Sequence, residues 1–266
     1  MGVYQARGFS ETWERLTCHR SDSCRLLALL ISASVWSAGD KSLVLYYPLD
    51  GDTKDASQNS NDGEIQGKSK WVDGKFGAKA LHLDPNAWIG ITPSDSLNGD
   101  FLQGEFSISA WINPNFLGSA WEHIWRSLPI PNGCDTLFIN KDLGVISWRG
   151  FVGANWTVIC QTDGGLIKKD KWYNVTVTSD KKKFRIYLDG KEVKNADHQE
   201  TAGKNTIYSF GGRGGETYAG VMDDAVVFLR ALDKDEVTGM QEGMEVFLAA
   251  EPQGKLTTVW GEIKQK

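Results

Sequence analysis

Residues 219–232 read AGVMDDAVVFLRAL and constrain the chain more than any other stretch. Two adjacent carboxylates, Asp223 and Asp224, sit inside a strand-like run. Val221, Ala225, Val227 and Leu229 fall on one alternation face, and Met222, Val226 and Phe228 on the other. A run that is apolar on both faces predicts an interior strand with protein on either side. Ionised carboxylates in such a place are costly unless they are paired, hydrogen-bonded or bound to a metal, so another part of the fold must supply their partners. Adjacent residues of a strand are expected to point to opposite faces.

The rest of the chain reads as short strands separated by Gly and polar turns. LVLYYPL at 43–49 is apolar on both faces, and Pro48 ends its regular pairing. A polar loop dense in Asp, Asn and Ser follows at 50–63. In 106–112, Phe106, Ile108, Ala110 and Ile112 alternate with Ser107, Ser109 and Trp111. Residues 115–136 look irregular, and a meander is expected through 137–140, 145–149 and 156–161. The strongest hairpin signal lies at 172–193, with Asp189-Gly190 as a tight turn. Asp233 and Glu236 have the spacing of a capping box and predict a short helix with Val237, Met240 and Met244 on its apolar stripe. Strands throughout and one short helix give an all-β sandwich, with one domain of about 210 residues at 39–250.

The 266 residues carry a net charge of −5 and an ordinary globular balance, 41% apolar and 24% charged. That charge advertises no basic surface for nucleic acid or anionic lipid. Arg25 precedes LLALLISASV, a run too short to span a bilayer, with small residues after it. This reads as a secretory leader over 1–38, the alternative being a buried core strand or helix. Residues 251–266 read as a terminal tail. Beyond the leader stand Cys134 and Cys160, an even pair that suits a disulfide in an oxidising compartment or two separate buried thiols. Asn155 and Asn174 begin Asn-x-Thr sequons, the second of them within a predicted strand.

Five segments carry a resemblance: LYYPLDGDTKDAS, GKFGAKALHLD, EFSISAWINP, KWYNVTVTSDKKKFRIYLDGKEV and AGVMDDAVVFLRAL. In this order they resemble the bacterial laminin-G-like, concanavalin A-like jelly-roll family across most of residues 41–245. The resemblance implies a two-sheet antiparallel jelly roll, a secreted or surface-attached module, a glycan or glycoprotein partner and, often, a structural Ca²⁺. Two departures stand out. Asp224 occupies the place of a Glu, and 115–136 is rich in Trp.

Ca²⁺ takes six to eight oxygens from carboxylates, amides and backbone. The acidic loop offers Asp50, Asp52, Asp55, Asn59, Asn61 and Asp62. The expected set is Asp50, Asp52 and Asn61 together with Asp223, which would account for a carboxylate among apolar neighbours. The alternative is a solvated loop, with Asp223 bonded to backbone N–H groups. For a saccharide, an aromatic platform beside fixed polar groups is needed. Trp121, His123, Trp125 and Arg126 supply both. The alternative is that 123–126 is itself a strand with Trp125 in the core, which at a spacing of four would put both Trp on one face.

The concanavalin A-like fold also houses β-glucanases, which need two carboxyl groups about 5 Å apart, commonly on one strand face. No E-x-D-x-E pattern occurs, and neither do G-x-S-x-G, P-loop or H-E-x-x-H motifs. The expectation is therefore a non-catalytic module that binds carbohydrate or a glycosylated partner. A glycoside hydrolase of the same fold and a structural adhesion domain are the other classes.

Overall fold

The computed structural model describes residues 40–97, 101–128, 134–153, 155–201 and 207–250. The expected leader at 1–38 and tail at 251–266 lie outside the described residues. The first strands are β1 (Leu43–Tyr47), β2 (Gly63–Gln66), β3 (Ser69–Val72), β4 (Ala80–Leu83) and β5 (Trp88–Ile91). Then come β6 (Phe106–Pro114), β7 (Trp121–Leu128), β8 (Thr136–Asn140), β9 (Val145–Val152) and β10 (Asn155–Gln161). The next group is β11 (Tyr173–Ser179), β12 (Lys183–Leu188), β13 (Lys191–Asp197) and β14 (Ile207–Phe210). A small hairpin, β15 (Gly212–Arg213) and β16 (Glu216–Thr217), leads into β17 (Gly220–Phe228). Two short helices close the described chain, α1 (Lys234–Gly239) and α2 (Met244–Ala250).

The long strands form two antiparallel sheets packed face to face, the expected jelly roll. One runs β13-β12-β11-β6-β17-β4-β3, with β1 also paired to β17; the other runs β10-β9-β8-β7-β14-β5-β2. Between them lies one apolar core. Phe106, Ile108, Ala110 and Ile112 of β6, Val175 and Val177 of β11, and Phe184 and Ile186 of β12 enter it, as their alternation predicts. β1 and β17 are neighbours, with Tyr47 opposite Ala225 and Leu43 opposite Phe228. Strands from opposite ends of the domain thus share the middle of one sheet.

β17 changes its neighbour halfway. Residues 220–222 pair with β4, and residues 225–228 pair with β1. Asp223 and Asp224 fall at the change, where a bulge interrupts the pairing with β6 and Asp224 takes a left-handed backbone at φ 42°. Asp tolerates this conformation better than most residues. The bulge shifts the alternation by one. Met222 faces the core on one side of it, and Ala225 and Val227 do so on the other. Even alternation through 221–229 is therefore corrected, and so is the expected divergence of the two Asp side chains. Both reach the outer layer of the sheet.

That layer is the helical C-terminus. Val237, Met240, Met244 and Phe247 pack on Tyr46, Tyr187, Val226 and Phe228 to form a second apolar cluster. The capping box is present: the Asp233 carboxylate accepts from the N–H groups of Asp235 and Glu236, both at 2.9 Å, and the Glu236 carboxylate accepts from Asp233 N–H at 2.8 Å. The single expected helix is instead two, separated by a 3₁₀ turn and by Gly243 at φ 98°. A side chain there would be strained, and its Cβ would approach the Phe76 ring.

Candidate functional site

Helices cover the outer face of the eight-stranded sheet; among the described residues none covers that of the seven-stranded sheet, which exposes Trp121, Trp156 and Val158. The irregular segment expected over 115–136 contains the central strand of that open face, β7. Its pairing with β8 slips between His123 and Trp125, so a bulge lies at Ile124. The bulge separates the two tryptophans that even alternation would place together. Trp121 stands outward and is 38% exposed, whereas Trp125 is 0% exposed. Trp125 stacks on Tyr208, with centroids 5.7 Å apart, and meets Phe210 edge-on at 5.0 Å. It is a core residue and not the ligand contact its spacing suggested.

His123 and Arg126 keep to the outer side but are buried there. His123 lies 5.6 Å from the Phe138 ring, and neither of its ring nitrogens has a hydrogen-bond partner. Burial, with Arg126 and Arg149 nearby, pushes its pKa well below the usual range, so the imidazole is neutral. Arg126 Nη1 donates to the Arg213 carbonyl at 2.8 Å and pairs with Glu216 at 2.8 Å. These contacts fasten the β15–β16 hairpin beside β7.

Two residues outside the expected set complete the cluster. Register places Arg149 of β9 opposite Thr136 of β8 and Val158 of β10, and Trp156 opposite Phe151. The Arg149 guanidinium carbon lies 4.6 Å from the Trp156 ring centre, 5.2 Å from that of Phe138 and 5.7 Å from that of Trp121. Trp156 is 38% exposed and packs edge-on against Phe151 at 5.5 Å. Two half-open indoles thus flank a guanidinium over a floor of Phe138 and His123. The outward alternation of 145–149 and 156–161 contains these residues, but only the pairing of β8, β9 and β10 brings them together. Further along the same face, a depression of about 320 Å³ is lined by Glu64, Gln66, Trp88 and Arg213. The Arg213 guanidinium lies 5.9 Å from the Trp88 ring centre.

On the core side of β7, the sequence reading missed Glu122. It is fully buried, and Oε1 accepts from Gly118 N–H at 3.0 Å while Oε2 has no partner. Burial pushes its pKa up to about 7. An acidic residue among apolar neighbours was the available signal.

The expected calcium ligands do not converge. Asp223 Oδ2 accepts from the N–H groups of Lys75 at 2.8 Å and Phe76 at 3.1 Å, and Oδ1 from Asp224 N–H at 3.1 Å. Asp50 Oδ1 accepts from Ala78 and Lys79 N–H at 2.7 and 2.8 Å. Asp52 holds Lys54 N–H at 3.1 Å, and Asn61 Oδ1 accepts from the Ser94 hydroxyl at 2.5 Å. Among the described residues no three acidic, His or Cys side chains gather as a metal site. Asp223 persists among apolar groups because backbone N–H donors hold it. The four residues hold separate hydrogen bonds rather than forming one set of Ca²⁺ ligands.

Asp224 is held in the same manner. Its Oδ1 accepts from the Tyr46 hydroxyl at 2.7 Å, and its Oδ2 from Met244 N–H at 2.9 Å. The pair clamps β1, the 75–76 turn and the start of α2 to one bulge.

The expected Cys134–Cys160 disulfide is also corrected. Both thiols are free and buried, and burial raises both pKa values to about 11. β9 runs between β10, which carries Cys160, and β8, which Cys134 precedes by two residues. Two strand spacings amount to about 10 Å, beyond disulfide reach. Of the sequons, Asn155 is exposed, whereas Asn174 is buried and donates to Ser109 Oγ at 3.1 Å. Asn174 is therefore inaccessible to glycosylation in the folded chain.

Several solved structures share this fold. Domain 4 of AbnA, a GH43 extracellular arabinanase from Geobacillus stearothermophilus, solved with arabinotriose, aligns with a TM-score of 0.59 and 22% identity over 74% of this chain and 97% of that one. The binding domain of Paraclostridial Mosquitocidal Protein 1 aligns at 0.61 and 21% identity, covering 75% of this chain and 52% of that one. The binding domain of Botulinum Neurotoxin DC, in complex with SialylT, aligns at 0.58 and 16%, covering 76% and 51%. This chain thus spans about half the length of those toxin domains. No curated protein sequence matches it. Residues 89–238 match the Laminin_G_3 family model, and the chain belongs to the concanavalin A-like lectin/glucanases superfamily.

Proposed function

We propose that this protein is a non-catalytic, secreted or surface-attached module that binds glycans or glycosylated partners on the open face of its seven-stranded sheet. One observation carries the reading: Trp121 and Trp156, each 38% exposed, flank the Arg149 guanidinium on a sheet face that no helix among the described residues covers. Sugars present apolar C–H faces and a rim of hydroxyls, and exposed indoles beside fixed donors match both. The arabinanase domain solved with arabinotriose and the toxin domain solved with SialylT add support by likeness of fold. An extracellular setting agrees with the apolar run at 26–35 and with that extracellular arabinanase. Among the described residues no helix is long and apolar enough to cross a membrane.

Beside the Trp121–Arg149 cluster, Glu216 is bound to Arg126 and Glu122 lies on the core side of β7, which favours binding over hydrolysis. A glycan array probed with the wild-type chain and with Trp121→Ala tests the reading. Binding that the variant loses at unchanged Tm supports it. Equal binding by both proteins removes Trp121 from the site, and release of reducing sugar would restore the hydrolase alternative.

A further inference from the structure

We infer that the open face prefers saccharides bearing an anionic group, a carboxylate or a sulfate ester, and that Arg149 is the residue that recognises it. This rests on the glycan-binding reading above and names the chemistry of its ligand.

Arg149 makes no ion pair of its own with a described residue; the Glu216 carboxylate, bound to Arg126, acts on it only from a distance. Among the described residues no carboxylate lies within ion-pair distance of it, and its Nε is buried with no hydrogen-bond partner. The chain is acidic overall, with 34 Asp and Glu against 29 Lys and Arg, so acids were available to pair it. Three aromatic rings surround the guanidinium instead. Their faces stabilise a cation but offer no acceptor oxygen to its N–H groups. The side chain is therefore held in place with its hydrogen-bonding capacity unspent.

The surroundings add to the positive charge. Arg126 gives Nη1 to Glu216 and to the Arg213 carbonyl, while its own Nε is also buried without a partner. Two guanidiniums thus share one carboxylate. His123, fully buried beside these cations, is neutral and supplies no negative charge to offset them. A guanidinium presents a planar fork of donors that fits the paired oxygens of a carboxylate or sulfate. With Trp121 and Trp156 on either side, the anion would meet Arg149 while sugar ring faces lie on the indoles. The competing view is that Arg149 merely covers the rings. A purely packing role would affect stability and leave ligand choice unchanged.

An array of uronate-containing, sialylated and sulfated saccharides, each printed beside its carboxyl-reduced or desulfated parent, separates these views. The acidic members should bind at least about 10-fold tighter than their parents, the equivalent of one charge-assisted hydrogen bond. Preference for the carboxylated or for the sulfated members then identifies the source of the anion. The strongest pair is titrated against wild type, Arg149→Ala and Arg149→Lys at about 50 and about 300 mM NaCl. Arg149→Ala should bring the acid-to-parent ratio close to one. Arg149→Lys, which keeps the charge and serves if the Ala variant fails to fold, should retain part of the ratio and lose it at the higher salt. Parents bound as well as acids, or a ratio unchanged in both variants, would overturn the inference and leave the glycan-binding reading standing. Binding to no member, acidic or neutral, would defeat both.

Discussion

Trp121 and Trp125, four residues apart on one strand, point to opposite faces of the same sheet, because a bulge at Ile124 lies between them. One indole is half-open on the outer face, and the other is sealed in the core. Substitution should therefore separate binding from stability. Trp125→Ala removes a ring packed on Tyr208 and Phe210 and should cost about 3–5 kcal/mol. Trp121→Ala should cost about 1 kcal/mol or less while abolishing glycan binding. Urea denaturation of the two variants checks this, and equal destabilisation would mean that Trp121 is also structural.

Much of the architecture is legible in the sequence because it depends on period-two alternation and turn chemistry. The β6 face, the 173–193 hairpin and the capping box at Asp233 are read directly from residue spacing. The pairing of β1 with β17 follows from two runs that are apolar on both faces. The bulges at Ile124 and Asp224 leave no such mark. Each is set by how a strand meets its neighbours, and each reverses which residues point inward. The site is half legible for the same reason. Trp121 and Arg126 lie in one short segment, but Arg149 and Trp156 reach them only through cross-strand register.

The Asp223–Asp224 bulge should behave as a backbone clamp. Asp224→Ala loses the bonds to Tyr46 and Met244 and keeps the left-handed backbone, so the fold should lose about 2–4 kcal/mol. Amide exchange should rise first in α2, whose N-terminus Asp224 holds. Because Asp223 is satisfied by N–H donors, EGTA should leave Tm unchanged. A fall in Tm on chelation would show that a metal contributes through other groups.

Stability should decline as pH rises from about 5 to about 8. Glu122 titrates near 7 in the fold, against an ordinary value of 4.5. A raised folded pKa favours the fold fully below the unfolded value, and the contribution is lost as pH climbs through the folded one. The loss from Glu122 is about 3 kcal/mol. Burial raises the pKa values of Asp223 and Asp224 in the same direction. Tm measured across this range should fall, and Glu122→Gln should flatten the slope. Buried, neutral His123 acts in the opposite sense below about pH 6.5, so the decisive result is the variant: a slope that Glu122→Gln leaves unchanged would contradict the burial of Glu122.

Cys134 and Cys160 should both react as free thiols once the chain is unfolded. In the native state their burial and raised pKa values predict slow alkylation. Peptide mass mapping after iodoacetamide treatment should show little native labelling of either residue and full labelling of both under denaturing, non-reducing conditions. Protection of both until a reductant is added would reinstate the disulfide.

The location of the binding face is most directly tested by indole N–H resonances in a ¹⁵N-Trp-labelled sample titrated with the best saccharide from the array. The signals of Trp121 and Trp156 should move together and saturate with the binding isotherm, while those of the core residues Trp125 and Trp148 stay in place. Saturable shifts that leave both Trp121 and Trp156 unmoved would put the ligand elsewhere on the molecule and contradict the assignment of this face.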